Sequence, residues 1–210
     1  MFSDLEKYIE NHSAEEPELL KQLNRETHLH VVNPRMLSGH IQGRILKMIC
    51  TMVQPNCVLE LGTFTGYSAL CLAEGIPEKG IVHTIENNDE LEEFAQNFFR
   101  QSPYGGKIIQ HIGNALEIIN SLEESFDLVF IDADKREYLD YYHAVFDKVP
   151  KGGYILADNT LWDGKVIEKL DPNDKQTIGV IAFNDFVAKD ERVETVILPI
   201  RDGLTLIRKK

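Results

Sequence analysis

Cys57-Val58-Leu59-Glu60-Leu61-Gly62-Thr63-Phe64-Thr65-Gly66-Tyr67-Ser68 begins as an apolar run, breaks at Gly62 and Gly66, and passes into a helical pattern that continues to Glu74. A strand that turns sharply through glycines into a helix is the opening unit of a βαβ fold. The alternation persists downstream. Apolar runs rich in Val, Ile and Leu recur at 80–85, 107–112, 126–131 and 153–157, with helical patterns at 90–100, 115–122 and 136–148. Strands alternating with helices predict a mostly parallel sheet covered on both faces, a doubly wound α/β fold. The end breaks the rule. Two β-type runs, 193–199 and 204–208, are separated only by 200–203, so an antiparallel hairpin with Asp202-Gly203 as its turn signal closes the sheet. Upstream, Ile45, Leu46, Ile49, Met52 and Val53 mark a helix over 42–53 that Pro55 ends. Two acidic helical patterns, around 5–9 and 19–23, are broken by Pro17 and form an N-terminal extension over 1–35.

Composition sets the bounds. At 210 residues the chain suits one well-buried core and is short for two, so 1–210 reads as a single domain. Thirty-four acidic against 22 basic residues give a formal charge of -12, which repels nucleic-acid phosphates and anionic lipid alike. No apolar run reaches the roughly 20 residues that span a bilayer, and Asp4, Glu6 and Glu10 stand where a signal peptide carries cationic and apolar residues. A cytoplasmic protein is expected. Cys50, Cys57 and Cys71 are odd in number and lack Cys-x-x-Cys spacing, which suits reduced core thiols.

In such a sheet, ligands bind beyond the carboxyl ends of the strands. Gly62 and Gly66 permit close backbone approach, and the helix that follows offers free N–H groups. The loop is neither Gly-x-Gly-x-x-Gly nor a phosphate loop, and Glu60 before the first glycine is unfavourable to a pyrophosphate. It suits an amino group, whose attached carboxylate would take the loop N–H groups and the Ser68 hydroxyl. Glu86 ends the next run, 24 residues after Gly62. An acid there either takes ribose hydroxyls or simply starts a helix beside Asn87, Asn88 and Asp89. After the third run, Asn114 and Ala115 could cap an adenine ring. An amino-acid end joined to a nucleoside end describes S-adenosylmethionine. The fourth run ends in Asp132-Ala133-Asp134-Lys135 and the fifth in Asp158-Asn159. Two carboxylates and an amide on adjacent strand ends are hard oxygen ligands of the kind Mg²⁺ or Ca²⁺ accepts, although Asp in such places also caps turns. Lys135 either reaches the same cavity or faces solvent.

These segments, together with 34–43, 157–164 and 198–204, resemble the metal-dependent, S-adenosylmethionine-dependent O-methyltransferases that include catechol and caffeoyl-CoA O-methyltransferases, in their bacterial branch. The likeness runs from Thr27 to Lys210. It implies a Rossmann-like class I methyltransferase sheet of seven strands with the last reversed. Glu60 and Ser68 would bind the methionine end, Glu86 the ribose, and Met36 would lie beside the reactive methyl, unless it merely fills a core gap. Ser38, Gly62, Thr63 and Phe64 would also touch the cofactor, as would Asn87, Asn114, Ala115, Asp132 and Asp134. Asn114 stands where many relatives carry an acidic residue. Asp132, Asp158 and Asn159 would hold a divalent metal, Mg²⁺ with Mn²⁺ or Ca²⁺ as alternatives, and Lys135 with Asp132 would form the catalytic pair, Lys135 as general base.

The same resemblance implies a homodimer, and an acceptor pocket shaped by the N-terminal extension and by the loop 161–176 with Trp162. His28, His30 and His40 then read as surface residues or as residues behind the ligands, since a metal held by two Asp and an Asn needs no imidazole. The expected reaction moves the methyl group to a hydroxyl of a vicinal-diol aromatic of catechol, caffeoyl or flavonoid type. Two rivals share the fold class: an NAD(P)-dependent oxidoreductase, which the missing Gly-x-Gly-x-x-Gly disfavours, and a non-catalytic nucleoside-binding dimer, which the complete set Asp132, Lys135, Asp158 and Asn159 disfavours.

Overall fold

The computed structural model describes residues 4–210. Residues 1–3 of the N-terminal extension therefore lie outside the described residues. One seven-stranded sheet organises the chain, in the order β3-β2-β1-β4-β5-β7-β6. Its strands are β1 (Cys57–Leu61), β2 (Ile81–Glu86), β3 (Ile108–Ile112), β4 (Leu128–Ile131), β5 (Tyr154–Asp158), β6 (Val193–Leu198) and β7 (Leu204–Lys209). The first five pair in parallel, and β7 runs antiparallel between β5 and β6. Central strands read as unbroken apolar runs because both faces are covered: Val58, Leu59, Leu61, Leu128, Val129, Phe130 and Ile131 are all fully buried.

Eight helices flank the described strands: α1 (Asp4–Asn11), α2 (Glu18–His30), α3 (Gly39–Val53), α4 (Tyr67–Gly75), α5 (Glu92–Gln101), α6 (Ala115–Ser121), α7 (Tyr138–Phe146) and α8 (Lys175–Val187). Helices α3 and α4 bury Leu46, Cys50 and Leu72 on one face of the sheet, while α7 and α8 bury Tyr138, Tyr142 and Phe183 on the other. The stretch 27–30 forms the last turn of α2, and Thr27 is buried with its hydroxyl donating to Thr65 Oγ1 at 3.1 Å. That contact ties the extension to the glycine loop.

Two features depart from the sequence reading. Helix α8 has no counterpart in it, because Ile178, Val180, Ile181, Phe183, Phe186 and Val187 spread apolar character around the helix and leave no clear stripe. The hairpin turn is centred on Arg201 and Asp202, with Gly203 N donating to Ile200 O at 2.9 Å, one residue earlier than the Asp-Gly signal suggested. Gly203 instead packs against Leu161, and Thr160 N and Leu161 N donate to Gly203 O and Asp202 O at 3.1 and 2.8 Å. The turn is thereby docked on the loop that follows Asp158.

Candidate active site

Strand order reverses between β1 and β4, so the loops leaving these strands diverge and open a crevice. The two strand ends touch: Leu61 pairs with Ile131, and Asp132 N donates to Leu61 O at 2.9 Å. Gly62, at φ +101°, is needed there because any side chain would overlap the Asp132 carbonyl. The resulting cleft has a volume of about 1100 Å³.

The glycine loop is held from beneath. Gly62 N and Thr63 N donate to Ile85 O at 2.9 and 3.1 Å. The Thr63 and Thr84 hydroxyls lie 2.6 Å apart, and Thr84 donates on to Glu60 Oε2 at 2.5 Å. Glu60 is completely buried, and its Oε1 has no hydrogen-bond partner. Burial pushes its carboxyl up to about 8, against the opposing pull of the Ser68 and Thr84 hydroxyls. Glu86 is anchored through both oxygens, accepting from Phe64 N at 2.7 Å and from Asn88 N at 3.0 Å. It lines the cleft and does not cap the next helical turn, a task taken by Asn88.

Across the cleft, charge is crowded. Lys135 is only 5% exposed, which decides against a solvent-facing lysine. Its Nζ donates to Asp132 Oδ1 at 2.9 Å and to the Tyr138 hydroxyl at 2.6 Å. Tyr138 in turn donates to Asp158 O at 3.0 Å. Asp158 is buried, and its carboxyl is raised by burial first and then by the charge of Asp132. Asn159 follows at φ +55°, and Trp162 and Asp163 share the left-handed region at +49° and +52°. Three non-glycine residues in that region mark a strained segment beside the site. The Trp162 ring stands 6.0 Å from Lys135 Nζ, and its indole Nε1 is buried without a partner.

Of the residues proposed from sequence, Met36, Gly62, Glu86, Asn87, Asn114, Ala115, Asp132, Asp134, Lys135, Asp158 and Asn159 all line this cleft. Met36 sits on the rim at 60% exposure, so it fills no core gap. Ser38, Glu60, Thr63, Phe64 and Ser68 are not among the lining residues; Ser38, Glu60, Thr63 and Ser68 are buried, and Phe64 packs against the α2, α4 and α5 cluster. Two lining side chains also have local duties. Asn114 caps α6 by accepting from Glu117 N at 3.1 Å, and Asp134 accepts from Arg136 N at 3.0 Å while pairing with its guanidinium. Asp134, not Asp132, is thus the turn cap. None of His28, His30 and His40 lines the cleft; their rings bond to Asn24 O, Glu26 and Ala14 O. Sequence reasoning passed over Tyr138, whose position three residues after Lys135 on a helical turn was the available signal. It also passed over Gln42 and Arg201.

Similarity to known proteins bears on what such a cleft does. Residues 10–210 match the O-methyltransferase family. The chain belongs to that family. A caffeoyl-CoA O-methyltransferase of Petroselinum crispum is 34% identical over 205 residues, covering 92% of this chain and 85% of the relative. The O-methyltransferase TomG of Streptomyces achromogenes, solved in complex with SAM, superposes with a TM-score of 0.91 at 26% identity, covering 98% of this chain and 96% of that one. A Podospora anserina methyltransferase with SAH bound superposes at 0.89, also at 26% identity, covering 98% and 94%. The protein is therefore an O-methyltransferase, and the oxidoreductase and non-catalytic alternatives fall away. Lys135 is a buried lysine on the wall of the cleft. Among the described residues, no helix is long and apolar enough to cross a membrane.

Proposed function

We propose that this O-methyltransferase takes its methyl group from S-adenosylmethionine and delivers it, with the help of a divalent cation, to one hydroxyl of a small aromatic vicinal diol. The observation that carries this reading is the buried Lys135 ammonium, shared between Asp132 and Tyr138, in a cleft that also holds Glu86, Asp158 and Asn159. Glu60 Oε1, buried and unpartnered, is the acceptor that the ammonium of the methionine end would satisfy, with Ser68 close by. Glu86, fixed by two backbone N–H groups, keeps free lone pairs for two ribose hydroxyls.

The donor set also fits a metal. Among the described residues, no three His, Cys, Asp or Glu side chains form a metal cluster; the two carboxylates and the amide oxygen of Asp132, Asp158 and Asn159 on the cleft wall are a hard-oxygen set. The Asp158 carboxyl is raised by burial first and by the charge of Asp132 second, and a cation held between the two would offset both. Asp132, Asp158 and Asn159 would hold Mg²⁺, or Mn²⁺ or Ca²⁺ in its place, and its charge would lower the pKa of the two acceptor hydroxyls. Once its own proton has been lost to solvent, the neutral Lys135 Nζ would take the proton of the attacking hydroxyl, and Tyr138, anchored to the Asp158 carbonyl, fixes where that nitrogen stands.

The rest of the chain supports the same reading as one methyltransferase domain over 1–210. Asn33, Pro34, Arg35 and Met36 lie on the cleft rim, so the extension contributes to the acceptor pocket together with Trp162. Met48 and Met52 on α3 and Val196 and Ile197 on edge strand β6 are large apolar residues left exposed, which suits a homodimer. The three free cysteines, held as thiols by burial that raises their pKa to about 11 or 12, suit a cytoplasmic protein.

The test is turnover with S-adenosylmethionine and a panel of catechols, caffeoyl esters and flavonoids, with products identified by mass. Activity is expected with Mg²⁺, absent in excess chelator and absent in Asp158→Ala at unchanged fold. Turnover that persists in chelator would remove the cation from the reaction.

A further inference from the structure

Phe64 and Thr65 are the two central residues of a turn in the glycine loop, closed by Gly66 N donating to Thr63 O at 2.8 Å. Phe64 stands there at φ +49°, a left-handed conformation that suits glycine and is strained for a bulky side chain. Contacts from outside the turn must hold it. One comes from β2, where Glu86 Oε2 accepts from Phe64 N at 2.7 Å. The others come from the N-terminal extension, which takes no part in the cofactor contacts described so far. The Phe64 ring packs against the cluster that holds Leu20 and Leu23 of α2 with Phe98 and Phe99 of α5. Glu16, just before α2, accepts from the Tyr67 hydroxyl at the start of α4. Thr27, in the last turn of α2, then reaches the loop itself. A helical threonine can return its hydroxyl to the carbonyl one turn earlier, whereas Thr27 donates it across to Thr65 Oγ1 at 3.1 Å, with neither residue exposed at all.

We propose that Thr27 is a positioning residue for the methyl donor: through the Thr65 hydroxyl it holds the 63–66 turn in the conformation in which Phe64 N fixes the Glu86 carboxylate. This rests on the reading of Glu86 as the ribose acceptor given above. Apolar packing by Leu20 and Leu23 brings α2 onto the loop but has no direction, whereas a hydrogen bond between two buried hydroxyls sets where Thr65 stands. The path runs from α2 through Thr65 and the Phe64 peptide to Glu86, so the extension acts on the donor seat without lining it.

The experiment is S-adenosylhomocysteine affinity by calorimetry, with urea unfolding and steady-state kinetics on the same variants. Thr27→Val, which keeps the shape and removes the hydroxyl, is expected to weaken S-adenosylhomocysteine by about 3–10-fold, the worth of one neutral hydrogen bond. The KM for S-adenosylmethionine should rise by the same factor while kcat at saturating donor and the KM for the acceptor stay put. Thr27→Ser, which keeps the hydroxyl, should bind as wild type does. Thr65→Val removes the same bond from the loop side and should match Thr27→Val, and the double variant should be no worse than either. In a Glu86→Ala background Thr27→Val should cost no further affinity, because its effect passes through that carboxylate. Unchanged affinity in Thr27→Val, with or without a loss of stability, overturns the positioning role, as does an additive loss with Glu86→Ala. Equal affinity in wild type and Glu86→Ala overturns the ribose reading and this inference together. Should Thr27→Val not fold, Thr65→Val decides by the same readings, and loss of fold in both assigns the bond to stability and overturns the proposal.

Discussion

The two halves of the cleft are built on opposite principles. On the β1–β2 side the acidic groups have protein partners: Glu86 accepts two backbone N–H groups, and Glu60 receives the Thr84 hydroxyl at 2.5 Å with one oxygen left over. On the β4–β5 side Asp132 and Asp158 stand together with one ammonium between Asp132 and Tyr138, followed by a segment in which Asn159, Trp162 and Asp163 sit at positive φ. Beyond it Ile167 is 90% exposed, an apolar residue without a protein surface to cover. The first half is organised before any ligand arrives, and the second keeps charge and strain that bound molecules would relieve. If, as proposed, the first half seats the methyl donor and the second the acceptor, the donor has a fixed seat and the acceptor a reactive one.

The sharpest way to break this contrast is Lys135→Met. If the β4–β5 half carries the chemistry, kcat should fall by about 10²–10⁴-fold with S-adenosylmethionine affinity nearly unchanged, and a rise in pH should restore part of the rate. Wild-type kcat in steady-state assays would leave Lys135 as a structural cation only. Gly62→Ala attacks the seam between the halves. The new methyl group would meet the Asp132 carbonyl at a left-handed backbone position, so stability measured by urea unfolding should drop by about 1–3 kcal/mol.

Glu86→Ala addresses the fixed half alone. If Glu86 holds the ribose as proposed, its removal should weaken S-adenosylmethionine by about tenfold or more, as charged hydrogen bonds are worth about 1.5–3 kcal/mol each, while turnover at saturating donor is retained. Calorimetry that finds equal affinity would mean Glu86 serves only the Phe64 loop. The smallest effect is expected at His83 and His111, stacked on β2 and β3 with ring nitrogens 3.0 Å apart. Burial lowers the pKa of both, and for His111 the neighbouring His83 adds to it. The unfolded chain then binds protons that the folded one does not, so stability is complete above about pH 6.5 and declines as pH falls toward the depressed values. His111→Gln should flatten that decline in unfolding curves taken between pH 7 and pH 5, a choice of about two units across the histidine range.

Much of this was readable from the chain alone, and the reasons are local. Val58-Leu59 and Leu128 to Ile131 announce central strands because burial on both faces demands unbroken apolar runs. Gly62 and Glu86 could be placed at the cleft because a strand-to-helix turn needs glycine and a carboxylate at a strand end lies at the ligand edge of the sheet, whereas Glu60, one position earlier on its strand, is buried beneath it. Asp132, Lys135, Asp158 and Asn159 could be placed at neighbouring strand ends once the strand order was guessed. Helix α8 escaped because its apolar residues have no single face, and the Asp-Gly signal misplaced the hairpin turn because Gly203 is required by packing on Leu161 and not by the turn itself.

Only the tertiary structure decided which charges are buried and what they touch. Nothing in the spacing of Lys135 shows that it is enclosed, or that Tyr138 joins it to the Asp158 carbonyl. Nor does the sequence show that Asn114 and Asp134 serve as caps, or that Arg201 reaches across 159 positions to Gln42. Sequence periodicity records how each segment meets water, so it determines elements and the edge of the sheet where chemistry gathers. The partners of a polar side chain depend on distances between segments remote in the chain, and those exist only once the sheet has closed.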